Sequence, residues 1–308
     1  MIATPSRIYG RAFWRVKMIT ERAYAKINLS LDVTGKRPNG YHDVRMVMQT
    51  VNIYDTLTFE KTDTDITIDV GGSPLPVDGD NLIYKAAKAV MDKCGISEGV
   101  SISLDKHIPI AAGMAGGSSD AAATLRGVNR LFECGLTYDE LRELGVKIGA
   151  DVPYCVEGGT VLAEGIGEAL TALSELPGYI IAVAKPKRGV STGNIYKSLD
   201  EIFDTITHPD VDAMVNVINT SQDLSFTEYL GNVLEYVTIP LCPEIDEIKK
   251  IFNESGSAGT LMTGSGPTVF AFFKNKEKAT GAIEKIRATG LCRDEELFVT
   301  ALTSPKMP

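Results

Sequence analysis

The residues of this sequence that are best suited to chemistry lie in a glycine-rich segment at positions 109–123. The segment carries three glycines within five positions: Gly113, Gly116 and Gly117. Glycine permits positive φ and has no side chain, so backbone N–H groups can converge on an anion. Ser118 and Ser119 follow, and we predict that they cap a helix through residues 121–131. A glycine-rich turn that leads into a helix N-terminus predicts a phosphate-binding site.

Several common nucleotide-binding motifs are absent from the sequence. A Walker A loop ends in Gly-Lys-Ser or Gly-Lys-Thr, whereas Gly117 runs into Ser-Ser-Asp without a lysine. Neither residues 165–170 nor residues 264–269 complete the G-x-G-x-x-G pattern of dinucleotide folds, and the catalytic-loop and metal motifs of protein kinases are missing. The chain therefore needs another arrangement to position and activate a nucleophile.

A carboxylate beside an ammonium group would suit the phosphorylation of a hydroxyl. The carboxylate can accept the hydroxyl proton, while the ammonium keeps it ionised and stabilises developing alkoxide charge. The sequence offers Lys26 at the start of a strand, Asp151 in the turn after a helix, and a second glycine turn at residues 264–266. Each has a plainer interpretation: a solubilising lysine at a strand edge, an aspartate that caps the turn before Pro153, and a hairpin turn.

The elements that must position these residues have α+β character, because strands and helices do not strictly alternate. Residues 27–33 alternate between apolar and polar, which predicts a strand with one buried face and one face that offers Lys26, Asn28, Ser30 and Asp32. A capping box at residues 137–140 predicts a helix that ends at Gly149, and residues 80–82 open a helix that ends near Gly95. Further strands are predicted at residues 56–60, 66–70, 100–104, 179–184 and 268–273, and a mainly helical region at 198–255.

Composition limits the class of protein. A chain of 308 residues exceeds one typical domain, so we expect two lobes with a bend near residues 170–185. A net charge of −9 disfavours nucleic acid as a partner, because nucleic acids are bound by basic stripes. The longest apolar run is short, which predicts no membrane span. Five scattered cysteines without a C-x-x-C pair favour reduced thiols and a cytoplasmic location, and three histidines disfavour a multi-histidine metal centre.

The first 17 residues differ from the rest of the chain. They carry Arg7, Arg11, Arg15 and Lys17, no acidic residue and the single tryptophan. A targeting peptide is one interpretation, but no continuous apolar stretch follows the positive charges. We favour the alternative that residues 1–17 are a leader or disordered extension and that Met18 is the physiological start.

The pattern P-x-x-x-G-x-x-G-G-S-S-x-A-A at residues 109–122 resembles the second motif of the GHMP kinases, the family of galactose, homoserine, mevalonate and phosphomevalonate kinases. The resemblance implies a two-domain α+β fold with the active site between an ATP-binding domain at residues 18–178 and a C-terminal domain at 179–308. It also implies ATP and Mg²⁺. The residues it places near ATP are Asn81, Leu82, Lys106, Pro109, Gly113, Met114, Ala115, Gly116, Gly117, Ser118 and Ser119.

Within the family, residues 25–29 and 34–42 are similar to the members that phosphorylate the 2-hydroxyl of cytidine diphosphate-linked methylerythritol, in the non-mevalonate isoprenoid pathway. This resemblance implies that Asp151 is the catalytic base, that Lys26 is its partner, and that Asn28 lies near the acceptor. It implies that Tyr41 and His42 bind the cytosine. We expect Tyr196 on the opposite face of the base, and a turn that closes the cleft at Gly264, Ser265 and Gly266.

Some alternatives stay open on the sequence alone. The acceptor could be another small alcohol, such as homoserine or mevalonate, or the chain could be a catalytically silent binding module of the same fold. The sequence does not identify the ligands of Mg²⁺, and Ser119 is only a candidate. The basic segment at residues 185–188 is predicted to be a solvated loop rather than a phosphate clamp. The oligomeric state cannot be read from the sequence.

Overall fold

The computed structural model describes residues 18–221 and 223–305, so the predicted leader at residues 1–17 lies outside the described residues. The strands are β1 (Met18–Lys36), β2 (His42–Thr62), β3 (Ile66–Asp69), β4 (Gly99–Asp105), β5 (Thr160–Glu164), β6 (Ala169–Ala172), β7 (Ile180–Pro186), β8 (Gly231–Asn232), β9 (Gly259–Met262), β10 (Val269–Phe273) and β11 (Cys292–Ala301). The helices are α1 (Leu82–Cys94), α2 (Gly116–Leu131), α3 (Tyr138–Val146), α4 (Val152–Glu157), α5 (Thr192–Ile202), α6 (Val211–Thr220), α7 (Glu235–Leu241), α8 (Glu244–Glu254) and α9 (Lys276–Thr289). This mixture confirms the predicted α+β class.

A sheet of seven strands organises the first part of the chain. Its main path runs β3-β4-β2-β1-β8, and β5 and β6 extend it from β2. The long strand β2 pairs with β5 through residues 46–49 and with β4 through residues 56–62. Strand β2 thus pairs with β5 and with β4 at different points along its length. Helices α1 and α2 pack together, and α2 also packs on β1 and β2.

A second sheet of four strands, in the order β11-β7-β10-β9, organises the later part of the chain. Helices α8 and α9 pack on it. The later part of the chain also reaches the larger sheet: β8 pairs with β1 in parallel, and Leu302, just after β11, forms a β-bridge with Val51 in β2. The division at residues 178 and 179 stays a prediction, and β8 joins the larger sheet from beyond it.

Strand β1 departs from the one-sided burial that its alternating pattern predicts. The strand itself is confirmed, but residues 25–33 are buried on both faces. Two of its charged side chains have partners: Lys26 donates to the buried Asn28, and Asp32 pairs with His208, which is exposed. The hydroxyl of Ser30 is buried and has no hydrogen-bond partner among the described residues. The alternating pattern therefore predicted the strand correctly, but the prediction that one of its faces is exposed to solvent is wrong. A buried lysine requires a charge or hydrogen-bond partner, which makes this strand a candidate for chemistry.

The basic segment at residues 185–188 is a second correction. Strand β7 extends to Pro186, so the segment begins within the smaller sheet rather than in a loop. Lys185 is 5% exposed, and its ammonium lies 2.6 Å from a carboxylate oxygen of Glu296. Lys187 and Arg188 are exposed, as predicted. The predicted helix limits are confirmed in part: α1 ends at Cys94 with Gly95 as its C-cap, and α3 begins with the capping box of Thr137 and Glu140. The predicted end at Gly149 is wrong, because α3 ends at Val146.

Within residues 18–221 and 223–305, no helix is both long and apolar enough to cross a bilayer.

Candidate active site

A cavity of about 880 Å³ opens where the glycine-rich segment, strand β1 and the turn between β9 and β10 meet. Both the first and the later part of the chain line it. The predicted site residues along its wall are Lys26, Tyr41, His42, Leu82, Lys106, Pro109, Gly113, Ala115, Gly116, Gly117, Ser118, Asp151, Tyr196, Gly264 and Ser265. Five other predicted residues do not line it: Asn28, Asn81, Met114, Ser119 and Gly266.

The phosphate end of the cavity is built from backbone. Helix α2 begins at Gly116, and its N-cap residue, Ala115, has a φ of 58° and makes no side-chain cap. The helix therefore presents uncapped N–H groups to the cavity, which is the arrangement that binds phosphate. The prediction that Ser118 and Ser119 cap the helix is wrong, because both lie inside its first turn.

The two serines have different surroundings. Ser118 lines the cavity. Ser119 is buried, and its hydroxyl donates to the carbonyl of Tyr24 at 2.7 Å. This hydrogen bond fastens the start of α2 to β1. The hydroxyl of Ser119 is thus directed into the protein, whereas Ser118 is the serine that a phosphate or its metal ion could contact.

Gly113 and the turn at residues 263–266 approach each other closely. Gly113 has a φ of 70°, and a Cβ there would lie 2.3 Å from the carbonyl oxygen of Thr263. A Cβ on Gly264 would in turn lie 2.9 Å from the carbonyl oxygen of Gly113. No other residue type allows this contact of two backbones, so the glycines fix the width of the cavity between its two walls. Asn232 supports the turn by donating to the carbonyls of Met262 and Gly264.

Lys26 and Asp151 face the same part of the cavity. A bulge in β1 sets Lys26, whose backbone N–H donates to the carbonyl of Met114 at 3.2 Å. The Lys26 side chain is 5% exposed, and its Nζ lies 3.8 Å from Oδ2 of Asp151. Asp151 occupies the position just before α4, and its side chain is 30% exposed. A half-buried carboxylate beside a buried ammonium can take a proton while the pair holds a defined geometry.

Asn28 lies behind this pair and does not line the cavity. Its Oδ1 accepts from Nζ of Lys26 at 2.7 Å, and its backbone N–H donates to Oγ1 of Thr263 at 3.0 Å. The side chain therefore orients Lys26 and links strand β1 to the closing turn. That Asn28 also lies near the acceptor stays a prediction.

The opposite end of the cavity carries aromatic side chains. Tyr41 is 58% exposed, which leaves one of its faces free for a ligand. His42 and Tyr196 contact each other, with ring centroids 5.0 Å apart and an angle of 36° between the planes. Burial raises the pKa of Tyr196 to about 12, so this phenol stays neutral near pH 7. Exposed and half-buried rings in a cavity can stack on a planar base.

Asp200 completes this end, although it was not among the residues predicted from the sequence. Its Oδ1 lies 2.7 Å from Nε2 of His42, and its Oδ2 lies 2.6 Å from Nζ of Lys36. It stands four residues after Tyr196 on α5, so both side chains leave the same helix face. The spacing of Tyr196 and Asp200 was the only sequence pattern that pointed to Asp200, and it does not indicate a contact with His42.

Lys106 lies between two buried carboxylates that were also missed. It pairs with Asp55 and, at 2.9 Å, with Asp120. Asp55 additionally accepts from the backbone N–H of His107 at 2.5 Å and that of Ile108 at 2.7 Å, which anchors the residues between β4 and the glycine-rich segment. Burial raises the pKa of Asp120 to about 8, and Lys106 only partly opposes this.

Asn81, Met114 and Gly266 do not line the cavity, and each contacts neighbouring protein groups instead. Asn81 caps α1 by accepting from the backbone N–H of Ile83 at 2.9 Å. Met114 is buried. A Cβ on Gly266 would lie 2.5 Å from Sδ of Met262. Each shapes an element of the cavity wall, but the side chains of Asn81 and Met114 do not reach the cavity.

Oxygen donors suitable for Mg²⁺ line the cavity, although no group of three or more His, Cys, Asp or Glu that could hold a metal occurs within residues 18–221 and 223–305. Mg²⁺ needs no such group, because it usually binds one or two protein oxygens together with substrate phosphates and water. The candidates are Ser118, Asp120 and Asp151. Oδ1 of Asp120 is buried and has no hydrogen-bond partner in the described part of the chain. The donor set thus fits a magnesium ion that arrives with a nucleotide.

This fold and cavity match a known class of enzyme. A sequence model of the GHMP kinases N terminal domain matches residues 81–159, and one of the GHMP kinases C terminal domain matches residues 216–291. The chain belongs to the GHMP kinase family, and it is an ATP-dependent kinase of small molecules.

Two relatives with high sequence identity carry the name of one particular kinase. The chain is 47% identical over 291 residues to the 4-diphosphocytidyl-2-C-methyl-D-erythritol kinase of Lachnospira eligens, a match that covers 94% of this chain and all (100%) of the relative. It is 50% identical over 266 residues to the kinase of the same name from Lachnoclostridium phytofermentans, covering 86% and 91% of the two chains.

Solved structures agree with the fold. A crystal structure of 4-(cytidine 5'-diphospho)-2C-methyl-D-erythritol kinase has a TM-score of 0.78 and 30% identity, covering 93% of this chain and 100% of that one. The homoserine kinase of Cytophaga hutchinsonii has a TM-score of 0.71 at 19% identity, covering 97% and 98%, and shares the fold alone.

Proposed function

We propose that this kinase transfers the γ-phosphoryl group of ATP to the 2-hydroxyl of 4-diphosphocytidyl-2-C-methyl-D-erythritol, giving the 2-phosphate and ADP. The observation that carries the proposal is the position of Lys26 and Asp151, 3.8 Å apart, in the cavity that also holds the uncapped start of α2 and the aromatic residues Tyr41 and Tyr196. The names of relatives at 47% and 50% identity support this acceptor.

ATP would bind at the glycine-rich end. The N–H groups at the start of α2 and the turn at Gly113 would hold its phosphates, because a helix N-terminus carries partial positive charge. Leu82 and Lys106 line the adjoining wall and would contact the rest of the nucleotide. Mg²⁺ bound to the phosphates would neutralise charge, with Ser118, Asp120 or Asp151 as its protein ligands.

The acceptor would bind with its cytosine between Tyr41 and Tyr196 and its erythritol chain directed toward Asp151. Asp151 then accepts the proton of the 2-hydroxyl as the oxygen attacks the γ-phosphorus. The bond between that phosphorus and the bridging oxygen of ADP breaks, and ADP leaves with the electron pair. Lys26 keeps Asp151 ionised and stabilises charge on the attacking oxygen, while Asn28 orients Lys26.

Other family members act on homoserine or mevalonate, and these acceptors are the rival hypothesis. Neither molecule has a planar base for Tyr41 and Tyr196 to hold. The exposure of Tyr41 in a cavity therefore favours the cytidyl acceptor.

The product tests the site of phosphorylation. The purified protein is incubated with ATP, Mg²⁺ and the cytidyl acceptor, and the new phosphomonoester is followed by ³¹P NMR. Because the carbon at position 2 carries a methyl group and no hydrogen, a 2-phosphate gives a signal without vicinal proton coupling. A coupled doublet or triplet would show phosphorylation of a secondary or primary hydroxyl and would contradict the proposal. Equal amounts of ADP and product are expected.

A further inference from the structure

One carboxylate ties together the two strands that carry the cytosine end of the cavity. Lys36 and His42 are register partners at the end of the β1–β2 pair. Asp200, on helix α5 from the later part of the chain, accepts from both: 2.6 Å to Nζ of Lys36 and 2.7 Å to Nε2 of His42. All three residues line the cavity. The imidazole of His42 is therefore held by a group that the sequence places 158 positions away.

The protonation of Asp200 decides which nitrogen of His42 carries hydrogen. Hydrogen bonds from Lys36, and to a lesser degree from His42, lower the pKa of Asp200, so it is a carboxylate and can only accept. Nε2 of His42 must then be the N–H that donates to it. In a neutral imidazole, Nδ1 is left as an acceptor. Within the described residues, no protein group hydrogen-bonds to Nδ1.

The ring cannot easily turn to exchange its two nitrogens. The His42 side chain is only 9% exposed, and it packs against Tyr196 with centroids 5.0 Å apart. Tyr196 and Asp200 leave the same face of α5, so one helix supplies both the contact that holds the plane of the ring and the acceptor that holds its tautomer. A carboxylate that fixes the tautomer of a histidine is a common way to define what its other nitrogen recognises.

We propose that Asp200 is a positioning residue for base specificity, which presents Nδ1 of His42 as an acceptor for the exocyclic amino group of cytosine. This inference rests on the proposed cytidyl acceptor. Uracil carries a carbonyl oxygen at the same position, so a uridyl acceptor would bring two acceptors face to face. A site built to pair with a donor discriminates strongly against an analogue that lacks it. Asp200 thus makes the site selective for cytosine over uracil without contacting the base.

The kinetic test compares cytidyl and uridyl acceptors, each diphosphate-linked to methylerythritol, at saturating ATP. In Asp200→Ala, we expect the ratio of the two kcat/KM values to fall about tenfold, the equivalent of one well-positioned hydrogen bond. The loss should appear in the KM for the cytidyl acceptor, while the KM for ATP stays unchanged. Asp200→Asn keeps an amide oxygen that can accept from Nε2, so it should restore part of the ratio.

Three outcomes are distinguishable. If Asp200→Ala lowers turnover of both acceptors equally and leaves their ratio as in the wild type, Asp200 has only a structural role and the inference is overturned. If the wild type uses the cytidyl and the uridyl acceptor equally, the inference is likewise overturned, although the phosphorylation reaction stands. If the wild type phosphorylates neither, the proposed function fails, and the specificity role fails with it.

A second readout does not depend on activity. The chain has three histidines, so ¹⁵N NMR can assign each imidazole tautomer. We expect the Nε2–H form for His42 in the wild type and its loss in Asp200→Ala. The matched control is Asp32→Ala, which removes the carboxylate 2.6 Å from Nδ1 of His208 and should alter His208 alone. An Nδ1–H form of His42 in the wild type would contradict the inference.

Discussion

The two ends of the cavity are built in different ways. The phosphate end comes from one continuous segment, residues 109–120, and relies on backbone conformation at Gly113 and the start of α2. The acceptor end is assembled from three separate elements, and its contacts join His42 to Tyr196 and Asp200. Lys26 and Asp151 lie between the ends. Under the proposed function, backbone groups of the first end hold the phosphates of ATP, whereas the second end can be altered by single side chains, so we expect specificity for the acceptor to lie there.

The largest effect should come from the residue between the two ends. We expect Asp151→Asn to lower kcat by roughly 10²–10⁴ with little change in either KM, because the amide cannot accept the hydroxyl proton. Steady-state kinetics with both substrates measures this. Glu157→Gln, on the same helix but outside the cavity, is the control. A loss of less than tenfold in a folded variant would reduce Asp151 to a positioning role.

The phosphate end can be tested by adding a single methyl group to its backbone. In Gly113→Ala, the new Cβ would lie 2.3 Å from the carbonyl oxygen of Thr263, so the loop must move away from the closing turn. A displacement of about 1 Å at a catalytic site can cost about 10²-fold, and we expect such a fall in kcat/KM for ATP.

The matched control for that change is Gly290→Ala. Gly290 has the same φ of 70°, but no atom lies within 4 Å of its Cβ position. It should lose only about 1–2 kcal/mol of stability and keep full activity. Similar activities for the two alanine variants would show that the contact between the glycine turns is unimportant.

The acceptor end should respond to Tyr41→Ala. Stacking of a base on an aromatic ring contributes about 1–3 kcal/mol, so we expect the KM for the cytidyl acceptor to rise about tenfold or more while the KM for ATP is unchanged. Tyr236→Ala removes another exposed tyrosine, one outside the cavity, and serves as control. Equal losses for ATP and acceptor would contradict the division of the cavity into two ends.

The last prediction concerns stability rather than activity, at the buried carboxylate beneath the phosphate end. Because the pKa of Asp120 is raised to about 8, the folded protein keeps a proton that the unfolded chain releases above about pH 4. The stability that this proton provides is fully present below pH 4 and is lost as the pH rises through 8. Asp120→Asn cannot ionise, so its free energy of unfolding should fall less between pH 5 and 8.

Urea unfolding at several pH values measures this difference. For a single group, the two proteins should diverge by at most about 1.4 kcal/mol per pH unit. Acids common to both proteins cancel in the comparison. Parallel stability curves for Asp120→Asn and the wild type would show that Asp120 is ionised throughout.

The difference between the two ends of the cavity also explains which site residues could be predicted from the sequence. The glycine-rich segment was visible because its function depends on neighbouring residues and backbone freedom. The helix start was nevertheless placed too late, since Gly116 and Gly117 join α2 and leave Ser119 free to bond to Tyr24. Asp55 and Asp200 were missed, because each acts through a contact between distant parts of the chain. Lys26 and Asp151 were candidates from the residues themselves, but only the family resemblance paired them, since their contact is also long-range.

The most direct test of the central claim is an ADP-release assay with ATP, Mg²⁺ and one acceptor at a time. The acceptors are 4-diphosphocytidyl-2-C-methyl-D-erythritol, homoserine and mevalonate. We expect turnover with the cytidyl acceptor alone, because only that molecule has a base for the end of the cavity formed by Tyr41, His42 and Tyr196. Turnover with homoserine or mevalonate but not with the cytidyl acceptor would contradict it.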